Sequence, residues 1–312
     1  MTDPSLTANP VRPRWTELPL SLRSRIEARL GATVSSAGDQ TGGFTHGTAA
    51  RLVLADGSRV FVKVLPQEDE LVDSYRNEAW CAARLPDDVP SPRLRFGMAG
   101  DGWVVLAFDD IEGRHPNIAE RDELDAVLTT VERLAKILTP NPLPDAPPGE
   151  DALAPLMHGW RQFAADGPPA DLDAWSLRNL DRLAELEGHW AEAIAGDTLL
   201  HADLRPDNML LTPAGEVLVV DWACACVGAA WVDLVVLLGS VAGLDAEAIV
   251  RTHPVTRHVR PTSIDAFVCA LAGCWEQVCR GPELPRSPHL RRFQARNARL
   301  TRTWLARRTG WR

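Results

Sequence analysis

Polar residues with the chemistry of a cation site are concentrated in one stretch of the chain, residues 199–223. Asp203 and Asn208 lie five residues apart, and two apolar runs joined by a Pro-Ala-Gly turn then lead to Asp221. Such runs predict a β-hairpin, which would hold Asn208 at its start close to Asp221 at its end. Converging side-chain oxygens suit a hard cation such as Mg²⁺. With Asp203 nearby, the stretch favours the catalytic centre of a phosphoryl-transfer enzyme.

A glycine-containing segment lies between two predicted strands in the first third of the chain. Gly42 and Gly43 would let the backbone approach a phosphate, and the Thr45 hydroxyl could add a donor. The alternative is an ordinary glycine-rich turn in a sheet. Lys63, on the next predicted strand, is either an exposed strand residue or a cation directed at a phosphate. Glu78, on the helix predicted after it, could pair with this lysine.

The order of these features resembles that of a known superfamily. Residues 201–208 look like the catalytic loop of protein-kinase-like enzymes, and Asp221 stands where those enzymes have a metal-binding aspartate. The sequence is most similar to the aminoglycoside phosphotransferase and choline-kinase-like family. With Lys63 and Glu78 included, the resemblance covers roughly residues 30–280. It implies an α+β, protein-kinase-like fold with a β-rich N-terminal lobe and a larger, mainly helical C-terminal lobe.

The resemblance also implies roles for individual residues. ATP or GTP, with Mg²⁺, would be bound between the lobes, and its γ-phosphate would pass to an acceptor hydroxyl. Asp203 would accept or orient the proton of that hydroxyl, while Asn208 and Asp221 would ligate Mg²⁺. Lys63, paired to Glu78, would contact the α- and β-phosphates.

Further roles follow for the catalytic loop and the connection between the lobes. Arg205 stands where protein kinases have a catalytic-loop lysine, and it could neutralise charge on the transferred group. The alternative is a structural ion pair with Asp203 or Asp207. The main chain around Ala107 and Asp109 is expected to bind the edge of the nucleotide base.

Three departures from the superfamily pattern affect these expectations. Ala202 replaces a common glycine, which its small side chain should allow. The glycine segment does not read Gly-x-Gly-x-x-Gly, so its phosphate contacts stay open. Only residues 222–230 separate Asp221 from the next predicted helix, too few for the activation segment of a protein kinase. We therefore expect a small-molecule acceptor, with a protein kinase and a catalytically silent binding protein as alternatives. His201 and Asp233 are expected to be structural.

Composition limits the class of protein. The chain has 312 residues, of which 45% are hydrophobic and 24% charged, as in ordinary globular proteins. Its net charge of −9 argues against nucleic-acid binding and is compatible with a cationic small molecule. Six cysteines without a visible secretory signal predict reduced thiols and a cytoplasmic protein. The most apolar helical candidate is too short to span a membrane, so no membrane association is expected.

The change from strand to helix periodicity predicts the domain boundary. We expect a nucleotide-binding lobe over residues 1–109, with residues 1–19 as a flexible arm, and a catalytic and acceptor-binding lobe over residues 110–312. Residues 286–312 contain nine arginines and no acid, which predicts a helix packed on the acidic remainder of the chain.

Two residue groups in the second lobe could bind an acceptor. Acidic side chains could attract an aminoglycoside, although a solvated helix face is the ordinary explanation for them; they are Asp145, Glu150, Asp151, Asp166, Asp171, Asp173, Asp181, Glu185 and Glu187. Tryptophans could stack on a sugar or enclose a quaternary ammonium, or they could be core residues; they are Trp160, Trp175, Trp231 and Trp275.

Overall fold

The computed structural model describes residues 10–312, which form a sheet lobe followed by a helical lobe. The predicted α+β architecture of two lobes is therefore confirmed. The elements of the sheet lobe are α1 (Leu20–Leu30), β1 (Val34–Asp39), β2 (Thr48–Leu54), β3 (Arg59–Pro66), α2 (Val72–Ala82), β4 (Leu94–Gly100) and β5 (Trp103–Asp109).

The helical lobe includes two small two-stranded sheets. Its elements are α3 (Arg121–Ile137), α4 (Gly149–Leu153), α5 (Gly159–Asp166), α6 (Ala174–Arg178), α7 (Leu180–Glu187), α8 (Trp190–Ala193), β6 (Thr198–Leu200), β7 (Met209–Leu211), β8 (Val217–Val219), β9 (Cys226–Gly228), α9 (Val232–Ser240), α10 (Ala246–Thr252), α11 (Pro261–Val278) and α12 (Leu290–Thr309). Within residues 10–312, no helix combines the length and the apolar character needed to cross a bilayer.

The sheet of the first lobe is antiparallel, with the strand order β1-β2-β3-β5-β4. Side chains alternate between the two faces of a strand. Val60, Val62 and Val64 of β3 therefore pack in the cluster that includes α1, while Leu65 packs on the opposite face with α2. Lys63 shares the face of Leu65. The period of the strand thus places the lysine on the side of α2, the helix that carries Glu78.

The prediction of a flexible arm is wrong for the part of it that the structure describes, residues 10–19. Trp15 and Leu18 are each only 3% exposed and pack with α1 against the sheet. The Trp15 amide donates to Asp39 Oδ1 at 2.8 Å, and the Thr48 hydroxyl donates to the carbonyl of Pro13 at 2.8 Å. Although prolines suggested a loose segment, burial of the large indole outweighs that tendency. Residues 1–9 of the predicted arm lie outside the described part of the chain.

The arginine-rich C-terminal segment forms α12 and packs on acidic residues of the helical lobe, as predicted. Arg308 contacts Glu247 at 2.7 Å and Asp265 at 2.5 Å. Arg302 contacts Asp173 at 3.1 Å and also pairs with Glu276. These pairs attach α12 to several other helices, so the basic charge of this segment serves the fold.

The predicted hairpin is present and positions the polar loop before it. β7 pairs antiparallel with β8, with Met209 opposite Val219, and β6 pairs with β9. Residues 201–208 therefore run between two strand ends, and Asp221 follows the end of β8. The hairpin therefore brings Asp221 close to the loop over residues 201–208.

Replacing Trp15 by alanine should lower the free energy of unfolding by about 3 kcal/mol or more, since truncating a buried aromatic residue typically costs that much. Urea denaturation followed by circular dichroism would measure the change. Val11→Ala is the matched control: Val11 is 62% exposed, so its loss should change stability by less than about 0.5 kcal/mol. Equal stability of Trp15→Ala and the wild type would contradict a packed N-terminal segment.

Candidate active site

A cavity of about 590 Å³ lies between the lobes and is lined by residues of both. It gathers nearly all the side chains that the sequence singled out. Those that line it are Gly42, Gly43, Thr45, Lys63, Glu78, Asp109, Asp203, Arg205, Asn208 and Asp221. Residues that lie far apart in the sequence thus line the same cavity.

Lys63 joins the two lobes at the centre of this cavity. Its Nζ donates to both carboxylate oxygens of Glu78, at 2.7 and 2.8 Å, and to Asp221 Oδ1 at 3.1 Å. The lysine–glutamate pair is the one the sequence suggested. The third bond, to Asp221, crosses from the sheet lobe to the helical lobe.

Lys63, Glu78 and Asp221 form a triad of charged groups that shift one another's pKa values. Burial by itself would lower the pKa of Lys63, but the carboxylates of Asp221 and Glu78 outweigh it and raise that pKa. Burial likewise opposes ionisation of Asp221, yet the Lys63 charge and hydrogen bond bring its pKa below the ordinary value. Burial raises the pKa of Glu78 to about 7, and the repulsion from Asp221 adds to this effect. Asp221 is therefore ionised at neutral pH.

A buried aspartate of α9 holds the start of the catalytic loop. Asp233 accepts hydrogen bonds from the amides of His201 at 2.9 Å and Ala202 at 2.8 Å. His201 Nδ1 accepts from the Asp203 amide at 3.2 Å, which leaves Nε2 to donate to the carbonyl of Val220 at 2.9 Å. Both residues connect backbone segments, in agreement with the structural roles predicted for them.

The conformation of Ala202 gives a more specific reason for the usual glycine there than side-chain size. Its φ is +60°, in the left-handed region that costs a residue with a Cβ about 1–2 kcal/mol. The bonds from Asp233 hold the loop in this shape. Asp221 also has a positive φ, of +69°, directly after the hairpin.

The catalytic loop orients Asp203 through two neighbours. Asn208 Nδ2 donates to the Asp203 carbonyl at 2.8 Å and to its Oδ2 at 3.1 Å. Arg205 pairs with Asp203 Oδ1 and with Asp207 Oδ2, the latter at 3.1 Å. Burial raises the pKa of Asp203, and the Arg205 charge opposes this. The structural pairing of Arg205 is thus present, and the same guanidinium also lines the cavity.

Asn208 and Asp221 have the donor atoms that a magnesium ion requires. Because Asn208 uses its amide nitrogen to bond Asp203, its carbonyl oxygen is left for a cation. Asp221 offers an ionised carboxylate. No cluster of three or more His, Cys, Asp or Glu suited to a metal occurs among residues 10–312. Two protein ligands fit Mg²⁺, which usually takes its other ligands from waters and phosphates.

The prediction for the base-binding connection needs one correction. Ala107 is fully buried inside β5, where it lies opposite Val62 of β3 and Phe96 of β4. Its side chain packs in the cluster of α1 and the core valines of β3, so Ala107 does not line the cavity. The part of the connection that does is residues 108–111, which include Asp109.

The glycine segment is attached to the helical lobe by contacts that the sequence did not reveal. The Phe44 ring lies 4.3 Å from the Phe293 ring of α12, and the Ser287 hydroxyl donates to the Phe44 carbonyl at 2.7 Å. The Arg205 guanidinium lies over the Phe293 ring, 5.3 Å from its centroid. No local pattern links positions more than 240 residues apart, so sequence spacing could not have shown these contacts.

Aromatic residues of α11 and α12 line the cavity next to Arg205. Phe293 packs edge-on against Trp275 at 6.2 Å, and both line the cavity with Leu290. Trp160 and Trp231 are core residues instead, and Trp175 packs on Trp311. None of the nine acidic residues considered as acceptor ligands is among the residues that line this cavity.

Comparison with known proteins agrees with the class of site that these residues form. The five-stranded sheet, the helical lobe and the cavity between them are the arrangement of protein-kinase-like phosphotransferases. Residues 41–260 match the phosphotransferase enzyme family APH. Because the match spans more than half of the chain, this protein belongs to that family, as its motifs predicted.

Solved structures extend the likeness to nearly the whole chain. A thermostable mutant of the aminoglycoside phosphotransferase APH(4)-Ia, in a ternary complex with ADP and hygromycin B, has a TM-score of 0.60 at 14% identity, covering 91% of this chain and 98% of that one. Choline kinase LicA from Streptococcus pneumoniae has a TM-score of 0.62 at 15% identity, covering 92% and 98%. A putative fructosamine-3-kinase from Thermobifida fusca has a TM-score of 0.56 at 20% identity, covering 91% and 99%. At these identities the likeness establishes the fold. No curated protein matches the sequence.

The raised pKa of Glu78 predicts an acidic limit to nucleotide use. Below about pH 7 the carboxyl takes up a proton, the Lys63 ammonium loses one of its two anionic partners, and kcat/KM for the nucleotide should fall. A pH profile of kcat/KM would measure this fall. Glu78→Gln should be less active throughout and lack the fall near pH 7. If the variant keeps the fall, it belongs to another group, and the assignment to Glu78 is wrong.

Proposed function

We propose that this protein transfers the γ-phosphate of ATP, or of GTP, to a hydroxyl group of a small molecule in a Mg²⁺-dependent reaction. The observation that carries this proposal is the triad of Lys63, Glu78 and Asp221, because it joins a nucleotide-side cation to a metal-side anion. Asp203 lines the same cavity. Membership of the phosphotransferase family supports the reaction class.

The chain's own residues would act mainly by positioning and charge. Lys63, held by Glu78, would bind phosphate oxygens of the nucleotide. Asp203 would accept a hydrogen bond from the acceptor hydroxyl and take its proton as the phosphoryl group transfers. Its burial supports this role, since a raised pKa makes it a stronger base than an ordinary aspartate. Arg205 would neutralise charge beside it.

A magnesium ion held by Asn208 and Asp221 would, when bound, neutralise the charge that develops on the phosphate oxygens. The bond from Lys63 to Asp221 supports the pairing of the two groups around one nucleotide. The base of the nucleotide would lie against the connection at residues 108–111. The choice between ATP and GTP would depend on main-chain groups there.

The acceptor end of the cavity supports a ring-containing or apolar acceptor over a polyamine. Trp275, Leu290 and Phe293 offer stacking and apolar surfaces close to Arg205 and Asp203. An aminoglycoside with several ammonium groups would need several carboxylates, whereas Asp203 and Asp207 are already paired with Arg205. A sugar, an amino alcohol or another antibiotic with an apolar face would fit these surfaces better.

Two other functions are disfavoured by particular observations. A protein kinase needs a long docking segment, but here nine residues, 222–230, link Asp221 to the residue before α9, and they include β9. A silent binding protein would be expected to lack the base or a metal ligand. Asp203, Asn208 and Asp221 are all present in the cavity.

The test of this function is a nucleotide-consumption screen with purified protein. ADP or GDP release would be measured with Mg²⁺ and four acceptor classes: aminoglycosides, other antibiotics, amino alcohols and sugars. Mass spectrometry would confirm the gain of a phosphate by the acceptor. Phosphate transfer to proteins of a lysate, without transfer to any small molecule, would favour a protein kinase over a small-molecule phosphotransferase.

Replacing Asp203 by alanine should lower kcat by about 10³-fold or more, because the acceptor loses its base and orienting group. Nucleotide affinity, measured by calorimetry, should change little because Lys63 and Asp221 remain. Asp207→Asn is the matched control: it removes the other carboxylate paired with Arg205 but not the proposed base. Near-normal turnover of the alanine variant would remove Asp203 from its assigned role.

A further inference from the structure

Arg12 belongs to the N-terminal segment of the chain, but its side chain lies between the two ends of the glycine segment. Its Nε donates to the carbonyl of Thr45 at 2.7 Å, and its Nη1 donates to the carbonyl of Gln40 at 3.0 Å. These two carbonyls lie at opposite ends of the glycine segment. The guanidinium therefore spans the segment and fixes its width.

The remaining nitrogen of this guanidinium is available to a ligand. A guanidinium carries five N–H donors, and the two carbonyl bonds use Nε and Nη1, so Nη2 makes no hydrogen bond to another residue within 10–312. Nη2 lies 3.1 Å from the position that a Cβ on Gly43 would occupy. Arg12 lines the cavity together with Lys63 and Asp221. The close approach of Nη2 thus depends on the missing side chain at Gly43.

The charge of Arg12 is not balanced by an adjacent anion. No carboxylate lies within ion-pair distance of it among the described residues, in contrast to Lys63 and Arg205. Burial lowers the pKa of Arg12, as it does for a cation removed from water. A half-buried cation without an anionic partner costs free energy, and a bound anion would remove that cost.

We propose that Arg12 is a phosphate-binding residue of the nucleotide site, and that its Nη2 donates to the polyphosphate alongside Lys63. The inference rests on the proposed function, because the anion is the phosphate chain of the nucleotide. A hydrogen bond from a charged guanidinium to a phosphate is roughly twice as strong as one from a neutral backbone amide. A glycine segment without the Gly-x-Gly-x-x-Gly pattern thereby gains a side-chain contact.

The rival explanation is that Arg12 only holds the glycine segment in shape through its two carbonyl bonds. A purely structural role would weaken MgATP binding to the same extent in Arg12→Gln and Arg12→Lys, because both lose the two-carbonyl bridge that shapes the glycine segment. A phosphate contact would weaken ATP much more than adenosine. Lysine at this position would keep the charge but lose the two-carbonyl bridge, so it also separates the two roles.

The experiment is calorimetric titration of the full chain with MgATP and with adenosine, for the wild type, Arg12→Gln and Arg12→Lys. Arg12→Gln should raise the Kd of MgATP about tenfold or more, as expected for a lost hydrogen bond to a charged group, and change the Kd of adenosine less than about twofold. Arg12→Lys should lie between the wild type and Arg12→Gln for MgATP. Arg14→Gln, an equal loss of charge at an exposed position two residues away, should match the wild type.

Each contrary outcome has a distinct meaning. Weakening of MgATP binding by Arg12→Lys as large as that by Arg12→Gln would overturn the proposal in favour of the structural role. Unchanged binding of MgATP by Arg12→Gln would overturn it outright. Failure of the wild type to bind MgATP would instead contradict the proposed function. Melting temperatures of all variants would show whether a weak binder is folded.

Discussion

The ammonium of Lys63 is the point on which the arrangement of the site depends. It stabilises the buried Glu78 on α2 and the ionised Asp221 in the opposite lobe. Without a cation beside it, each of these carboxylates would cost free energy. Removing the lysine would leave two anions close together without the cation that pairs with both. The Lys63 charge therefore holds the two lobes together, and a bound nucleotide would use the same charge. The fold and the proposed chemistry thus both depend on this one side chain.

Local patterns were sufficient for the parts of the site that lie close together in sequence. The loop, the hairpin and Asp221 form one continuous stretch, so turn chemistry and apolar spacing predicted their geometry. The period of β3 placed Lys63 opposite the core valines and thus beside Glu78. Family resemblance supplied the link between these two stretches, which spacing alone could not provide.

The remaining features depend on contacts between distant segments. Prolines around Arg12 suggested a loose arm, yet Trp15 is buried against the sheet and holds that arginine in the cavity. Family position alone assigns Ala107 to the base-binding connection; its side chain instead packs with the core valines on the α1 face of the sheet. The reason for a glycine-like residue at position 202 is a backbone angle, which composition does not reveal.

The two ends of the cavity differ in what determines them. At the proposed nucleotide end, the sheet and the hairpin position Lys63, Glu78 and Asp221, which are paired with one another. At the acceptor end, the surfaces come from α11 and α12, whose ring-bearing residues Trp275 and Phe293 are attached to the glycine segment through Phe44. Because Phe293 also lies beside Arg205 and Phe44, a change in α12 would reach both the polar loop and the glycine segment. Under the proposed function, the identity of the acceptor would be sought in Trp275 and Phe293 together with the loop that they adjoin.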